Sequence, residues 1–162
     1  MSKLKNLDEL SNIVKRGREK GRKIVFANGC FDILHVGHIR YLKEAKELGD
    51  LLIVAINSDS SAKRLKGDGR PVTPENERAE IIAAIEYVDY VTIFNEPNVC
   101  NLLLTLKPDI HAKGTDYTED SVPEVKTVRA YGGRVAITGD KKERSSTEII
   151  KKVKAEVKVK EI

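Results

Sequence analysis

The sequence predicts an α/β domain, a doubly wound five-stranded parallel sheet with helices on both faces. Three observations predict it. Short apolar runs alternate with helical patterns along the chain, which requires helical crossovers between parallel strands. The run Leu51–Ile56 is apolar at every position, as a strand buried on both faces must be. The first strand leads straight into a glycine-containing loop, Asn28–His38, that opens a helix. In such sheets ligands bind beyond the C-terminal strand ends, at the point where the strand order reverses.

Each element follows from its own pattern. Leu4, Leu7, Leu10, Ile13 and Val14 recur at helical spacing and predict an amphipathic helix within residues 1–22, packed on the domain and ended by Gly17 and Gly21. The first strand is Lys23–Ala27. The next helix covers His38–Leu48, with Ile39, Leu42, Ala45 and Leu48 three apart and Gly49 as its stop. The second strand is Asp50–Asn57. Ser58–Arg70 reads as a polar, basic loop. Thr73 as N-cap and Pro74 at the first helical position then open a helix reaching Tyr87. Strand Tyr90–Phe94, helix Asn98–Leu106, strand Asp109–Lys113, a turn at Gly114–Tyr117, helix Pro123–Tyr131 and strand Arg134–Ile137 follow. Ser145 and Glu148 have the spacing of a capping box at the start of the last helix. Ile149, Ile150 and Val153 form its apolar face. The main domain is expected over residues 23–155, with a charged tail at 156–162 fraying into solvent. No internal repeat or linker is visible.

Composition narrows the class. The 162 residues are 40% apolar and 33% charged, which suits one globular domain with a real core. The net charge of +4 fits an anionic small-molecule substrate and is too mild to argue for nucleic acid. Cys30 and Cys100 have no metal-ligand spacing, so reduced thiols in the cytoplasm are expected. No apolar run is long enough for a membrane span.

The chemistry concentrates in Asn28–His38. A helix N-terminus offers unpaired N–H groups and a partial positive charge, which suits phosphate. Gly37 admits an anion close to the backbone. His35 and His38 add donors able to carry positive charge near neutral pH. Two other phosphate motifs are absent: the sequence has neither G-x-x-x-x-G-K-[ST] nor G-x-G-x-x-G after a strand.

The run Gly29-Cys30-Phe31-Asp32-Ile33-Leu34-His35-Val36-Gly37-His38 resembles the G-x-F-D-x-x-H-x-G-H signature of the nucleotidylyltransferase superfamily. The superfamily's second signature, a Ser/Thr-rich helix start, is matched by Arg144-Ser145-Ser146-Thr147-Glu148-Ile149-Ile150. The runs Val54–Asp59, Lys63–Asp68, Arg70–Val72 and Lys113–Tyr117, with the pair Gly132-Gly133, are most similar to the adenylyltransferase domain of the ADP-heptose pathway. This likeness extends from Lys23 to Val153. It implies a Rossmann-like nucleotidyltransferase fold and transfer of AMP from ATP to D-glycero-β-D-manno-heptose 1-phosphate, releasing pyrophosphate, in lipopolysaccharide precursor synthesis.

The resemblance also implies roles. His35, His38 and Lys66 would be catalytic, the histidines donating to phosphate oxygens. Cys30, Phe31, Gly37, Asp116, Arg144, Ser145, Ser146 and Thr147 would join the two histidines in holding the nucleotide. Lys63, Lys66 and Arg78 would meet the acceptor. Asp32 is read as ordering the loop rather than binding metal, and His111 as a satisfied buried histidine. Mg²⁺ would arrive with ATP, not in a dedicated carboxylate cage. A homo-oligomer is implied, as is a stand-alone enzyme paired with a sugar kinase on a separate chain, with neither nucleic acid nor membrane as partner. Three rivals stand beside this reading: a glycerol-3-phosphate or related cytidylyltransferase on the same scaffold, a non-catalytic nucleotide-binding regulatory module, and an RNA-binding protein.

Overall fold

The computed structural model describes residues 2–141 and 143–160. Five parallel strands form one sheet: β1 (Ile24–Gly29), β2 (Leu51–Asn57), β3 (Tyr90–Phe94), β4 (Ile110–Lys113) and β5 (Arg134–Ile137), in the order β3-β2-β1-β4-β5. The helices are α1 (Leu7–Glu19), α2 (Val36–Glu47), α3 (Asp59–Lys66), α4 (Glu75–Ala83), α5 (Cys100–Leu106), α6 (Val125–Ala130) and α7 (Ser146–Lys160).

Side chains alternate faces along a strand, so β1 feeds two cores. Ile24 and Phe26 pack with Leu10 and Val14 of α1, Leu102, Leu103 and Leu106 of α5 and Val128 of α6. Val25 and Ala27 pack with Leu42 and Ala45 of α2 and Ala79 and Ile82 of α4. The sheet is therefore doubly wound in the Rossmann-like manner. Every residue of β2 is buried, which is why its sequence shows no alternation. The order reverses between β1 and β4, and in such sheets a crevice for ligands opens beyond the C-terminal strand ends at that point.

Several boundaries differ from the sequence expectation, each for a local reason. Gly17 does not end α1 but lies inside it; a Cβ there would sit 3.2 Å from Leu51 Cδ1 and 3.3 Å from Ile24 Cδ1, so glycine permits close helix–sheet packing. The stop is Gly21, at φ +70°, where Gly21 N–H donates to the Arg18 carbonyl and Arg22 N–H to that of Gly17. Leu4 is outside the helix, bridged to Val91, and the flanking Lys3 and Lys5 backbone groups bond Val91 along the edge of β3. Gly49 serves packing rather than a left-handed turn, since a Cβ would meet Val25 Cγ2 at 2.7 Å and the Lys23 carbonyl oxygen at 2.9 Å.

Ser58–Arg70 is not all loop. Ser58 caps α3 by accepting from Ser61 N–H, and a short helix runs to Lys66. Helix α4 starts one residue late, with Pro74 rather than Thr73 at the cap position, and stops at Ala83 rather than Tyr87. The last helix is longer than expected. It continues through Lys160, where a fraying tail was expected, and Val153 and Val157 on its apolar stripe are exposed. Residues 161–162 of that tail lie outside the described residues.

Candidate active site

Helix α2 begins two residues before the expected His38, because His35 is its N-cap. The Gly37 N–H donates to His35 Nδ1 at 3.1 Å, and the His35 N–H donates to His38 Nδ1 at 3.2 Å. A ring nitrogen that accepts from an N–H carries no proton, so this geometry places each ring proton on Nε2. The two rings stack with centroids 3.9 Å apart. Each ring thus turns its Nδ1 toward the backbone of the helix start. Gly37 is needed for packing, since a Cβ there would lie 2.9 Å from the His35 ring. Phe31, at φ +49°, turns the loop so that its ring lies 5.3 Å from that of His38.

Asp32 holds the loop to the chain that follows α3. Its carboxylate accepts from Arg70 Nε at 2.7 Å, Val72 N–H at 2.8 Å and Thr73 N–H at 2.9 Å. Burial raises its pKa, but the Thr73 and Val72 N–H groups and Arg70 outweigh burial and hold it below the usual value. A lowered folded pKa contributes stability that is complete above the ordinary value of 3.8 and lost as pH falls through the folded value. Asp32→Asn is therefore expected to destabilise the domain by about 3 kcal/mol near neutral pH, since it removes one partner of a buried ion pair. The deficit should shrink as pH falls below about 4. Thermal melts of both proteins from pH 7 to pH 2.5 check it, and a pH-independent gap would refute it.

The second helix start at the site is that of α7. Ser145 and Glu148 form the expected reciprocal cap, with Glu148 N–H to Ser145 Oγ at 3.1 Å and Ser145 N–H to Glu148 Oε2 at 3.2 Å. Ser146 Oγ donates to the Ile33 carbonyl at 2.9 Å, and Arg70 Nη1 reaches Thr147 Oγ1 at 3.4 Å. These contacts bring the start of α7 beside the loop that opens α2.

Both helix starts face one cavity of about 570 Å³ beyond the C-terminal strand ends. Cys30, Phe31, His35, Gly37, His38, Lys66, Asp116, Arg144, Ser145, Ser146 and Thr147 all line it. Two expected residues do not. Lys63 lies outside, paired with Asp68 at 3.5 Å where both are exposed.

Arg78 is a correction of a different kind. It is 1% exposed, and a side chain so enclosed has no route to an acceptor. Its Nε donates to the Thr73 carbonyl at 2.9 Å, Nη1 to those of Asn57 at 2.8 Å and Cys30 at 2.5 Å, and Nη2 to Asp59 at 2.8 Å. It is an internal tie beneath the loop. Its place one turn before Ile82, on the apolar face with Ala79, was the signal for this.

Other lining residues escaped the sequence reading as side chains: Asn28, Tyr41, Arg70 and Lys113. Strand pairing alone brings Asn28 and Lys113 together, and no local pattern marks it. Among the described residues no group of three or more His, Cys, Asp or Glu is placed to hold a metal ion. Among them, too, no helix is long and apolar enough to cross a membrane.

The family model described as cytidylyltransferase-like matches residues 26–152. The chain belongs to the cytidylyltransferase-like family. Among curated relatives, the Bifunctional protein HldE of Geobacter metallireducens is 49% identical over 152 residues, 94% of this chain and 31% of that protein. The protein of the same name from Geobacter sulfurreducens is 47% identical over the same shares. The chain thus spans about a third of the length of these relatives. Among solved structures, the lipopolysaccharide core biosynthesis protein from Thermoplasma volcanium GSS1 is similar with a TM-score of 0.66 and 33% identity, covering 75% of this chain and 100% of that one. The pantoate-beta-alanine ligase of Francisella tularensis, at 17% identity and a TM-score of 0.59, shares the fold. Family membership agrees with the resemblance carried by the two signatures. In the family's frame, the matched span runs from the first strand, through the α2 start, into α7.

Proposed function

We propose that this domain transfers AMP from MgATP to D-glycero-β-D-manno-heptose 1-phosphate, giving ADP-heptose and pyrophosphate. The observation that carries adenylyl transfer is the convergence of two helix N-termini, at His35–His38 and Ser145–Thr147, on one cavity. Its support for the heptose acceptor is similarity to HldE proteins and to a lipopolysaccharide core biosynthesis protein.

In this reading an oxygen of the sugar phosphate attacks the α-phosphorus in line. A new P–O bond forms, the α–β bridging bond breaks, and the pair of electrons leaves with pyrophosphate. No protein nucleophile takes part, so catalysis is positioning and charge stabilisation. His35 and His38 donate from Nε2 to oxygens on which charge builds. The α7 start, with Ser145, Ser146 and Thr147, cradles the departing phosphates, and Arg144 adds a guanidinium. Lys66 meets the reacting phosphates, Asp116 the nucleotide. Mg²⁺ enters as part of the nucleotide substrate. A sugar kinase supplies the acceptor, and the domain works as a homo-oligomer in the cytoplasm.

The deciding experiment is pyrophosphate release, crossing ATP and CTP against heptose 1-phosphate and glycerol 3-phosphate. Turnover confined to ATP with the heptose phosphate is expected. Turnover with CTP and glycerol 3-phosphate would overturn the acceptor and base while keeping the chemistry. Silence throughout would favour a regulatory nucleotide-binding module.

A further inference from the structure

Three polar side chains meet where β1 and β4 adjoin, and the transfer chemistry leaves them without a task. His111 of β4 is fully buried between the two helix layers. Its Nε2 lies 3.0 Å from Asn28 Oδ1, and Lys113 Nζ lies 3.4 Å from the same oxygen. An ammonium only donates, so the Asn28 atom facing it is the oxygen and the amide cannot be flipped. Burial lowers the His111 pKa to about 3, so the ring is neutral and donates through Nε2. Its Nδ1 then has no hydrogen-bond partner among the described residues. Two donors thus hold Asn28 Oδ1, which aims the Nδ2 hydrogens elsewhere.

Asn28 and Lys113 both line the cavity, and His111 does not. The histidine is a positioning residue behind them. Lys113 is held on its other side by the Tyr117 ring, 5.1 Å from Nζ. The floor of the cavity therefore presents N–H donors, from an amide and from an ammonium with hydrogens to spare. Such a surface recognises oxygen acceptors.

Its place along the floor decides which part of the substrate it meets. Along the sheet edge, Lys66 enters the cavity from the end of α3, which follows β2, while Asn28 and Lys113 enter from the adjoining β1 and β4. If Lys66 meets the reacting phosphates, the next group along the floor meets what the acceptor phosphate carries. The outer wall near β5 is a separate feature, with Thr138 Oγ1 bonded to the Tyr41 carbonyl and Gly139 N–H to Glu44. In this reading the nucleoside lies along that wall.

We propose that Asn28 and Lys113 form the acceptor-specificity subsite, donating hydrogen bonds to hydroxyl groups of the sugar whose phosphate reacts. The assignment rests on the sugar-phosphate reading above. Its test is calorimetric titration of heptose 1-phosphate and of inorganic phosphate into the protein loaded with a non-hydrolysable MgATP analogue. Wild type should bind the sugar phosphate at least tenfold more tightly than inorganic phosphate. Lys113→Met should lose roughly 10–100-fold for the sugar phosphate, the cost of a charged hydrogen bond. It should bind inorganic phosphate and the ATP analogue as wild type does. Lys113→Gln, which keeps an N–H donor on a shorter arm, should fall between.

Unchanged sugar-phosphate affinity in Lys113→Met overturns the proposal, as does a loss confined to the ATP analogue. Should that variant not fold, unchanged affinity in Lys113→Gln overturns it equally. Wild type that binds the sugar phosphate no better than inorganic phosphate also overturns it. Tight, Lys113-dependent binding without pyrophosphate release would leave the subsite standing and sink adenylyl transfer alone.

Discussion

Replacing His38 with Ala is expected to lower kcat by about 10²–10³, or about 2.7–4 kcal/mol of transition-state stabilisation, with little change in KM for ATP. The ring's Nδ1 is engaged by the His35 N–H, which leaves Nε2–H as the hydrogen it can give a phosphate oxygen. A donor aimed where charge grows acts on the transition state more than on bound ATP, so kcat carries the loss. Folding should survive, because His38 belongs to neither core and meets one of them only at its margin, through the Phe31 ring 5.3 Å away. His38→Gln offers an amide donor on a flexible arm and should recover part of the rate. Steady-state kinetics with both variants is the check. A near-normal kcat in His38→Ala would remove the residue from the catalytic set.

Arg78→Met should have the largest effect on stability. Four hydrogen bonds converge on a guanidinium that solvent does not reach. Removing it leaves the carbonyls of Cys30 and Asn57 without this partner inside the protein, and each costs about 1–3 kcal/mol. The ion pair with Asp59, whose side chain is half exposed, adds less, so a total of about 3–5 kcal/mol is expected, most of it from the orphaned carbonyls. For a domain of this length, that is a fall in Tm of roughly 10 °C. Lysine cannot replace it, because a single ammonium does not span carbonyls on two strand ends and a turn. Activity should fall too, since Cys30 belongs to the loop that carries His35. A Tm within about 2 °C of wild type would refute this role.

The two predictions separate what residue type conveys from what position conveys. His38 stands in a spaced motif at a helix start, where the local sequence announces both ring and helix. Arg78 stands on a helix among Glu75, Glu77 and Glu80 and by residue type reads as a substrate ligand, with only its place one turn before Ile82 pointing inward. It became internal because the loop above it needs donors for carbonyls that no strand partner satisfies. Lys63 and Lys66 belong to one basic run, but Lys66, one turn further along α3, lines the cavity, whereas Lys63 pairs with Asp68.

By itself the sequence determined the strand and helix alternation, the buried parallel sheet, the helix starts near His38 and Ser145 and the reciprocal Ser145–Glu148 cap. These are local or periodic properties, set by hydrophobic period and by donors within a few residues. Only the tertiary structure decided which charged groups face the cavity, that Asp32 and Arg70 join the loop to the α7 start, and that Asn28, His111 and Lys113 form one network. Those contacts connect residues far apart in the chain. Strand order and packing bring them together, and no short stretch of sequence encodes either.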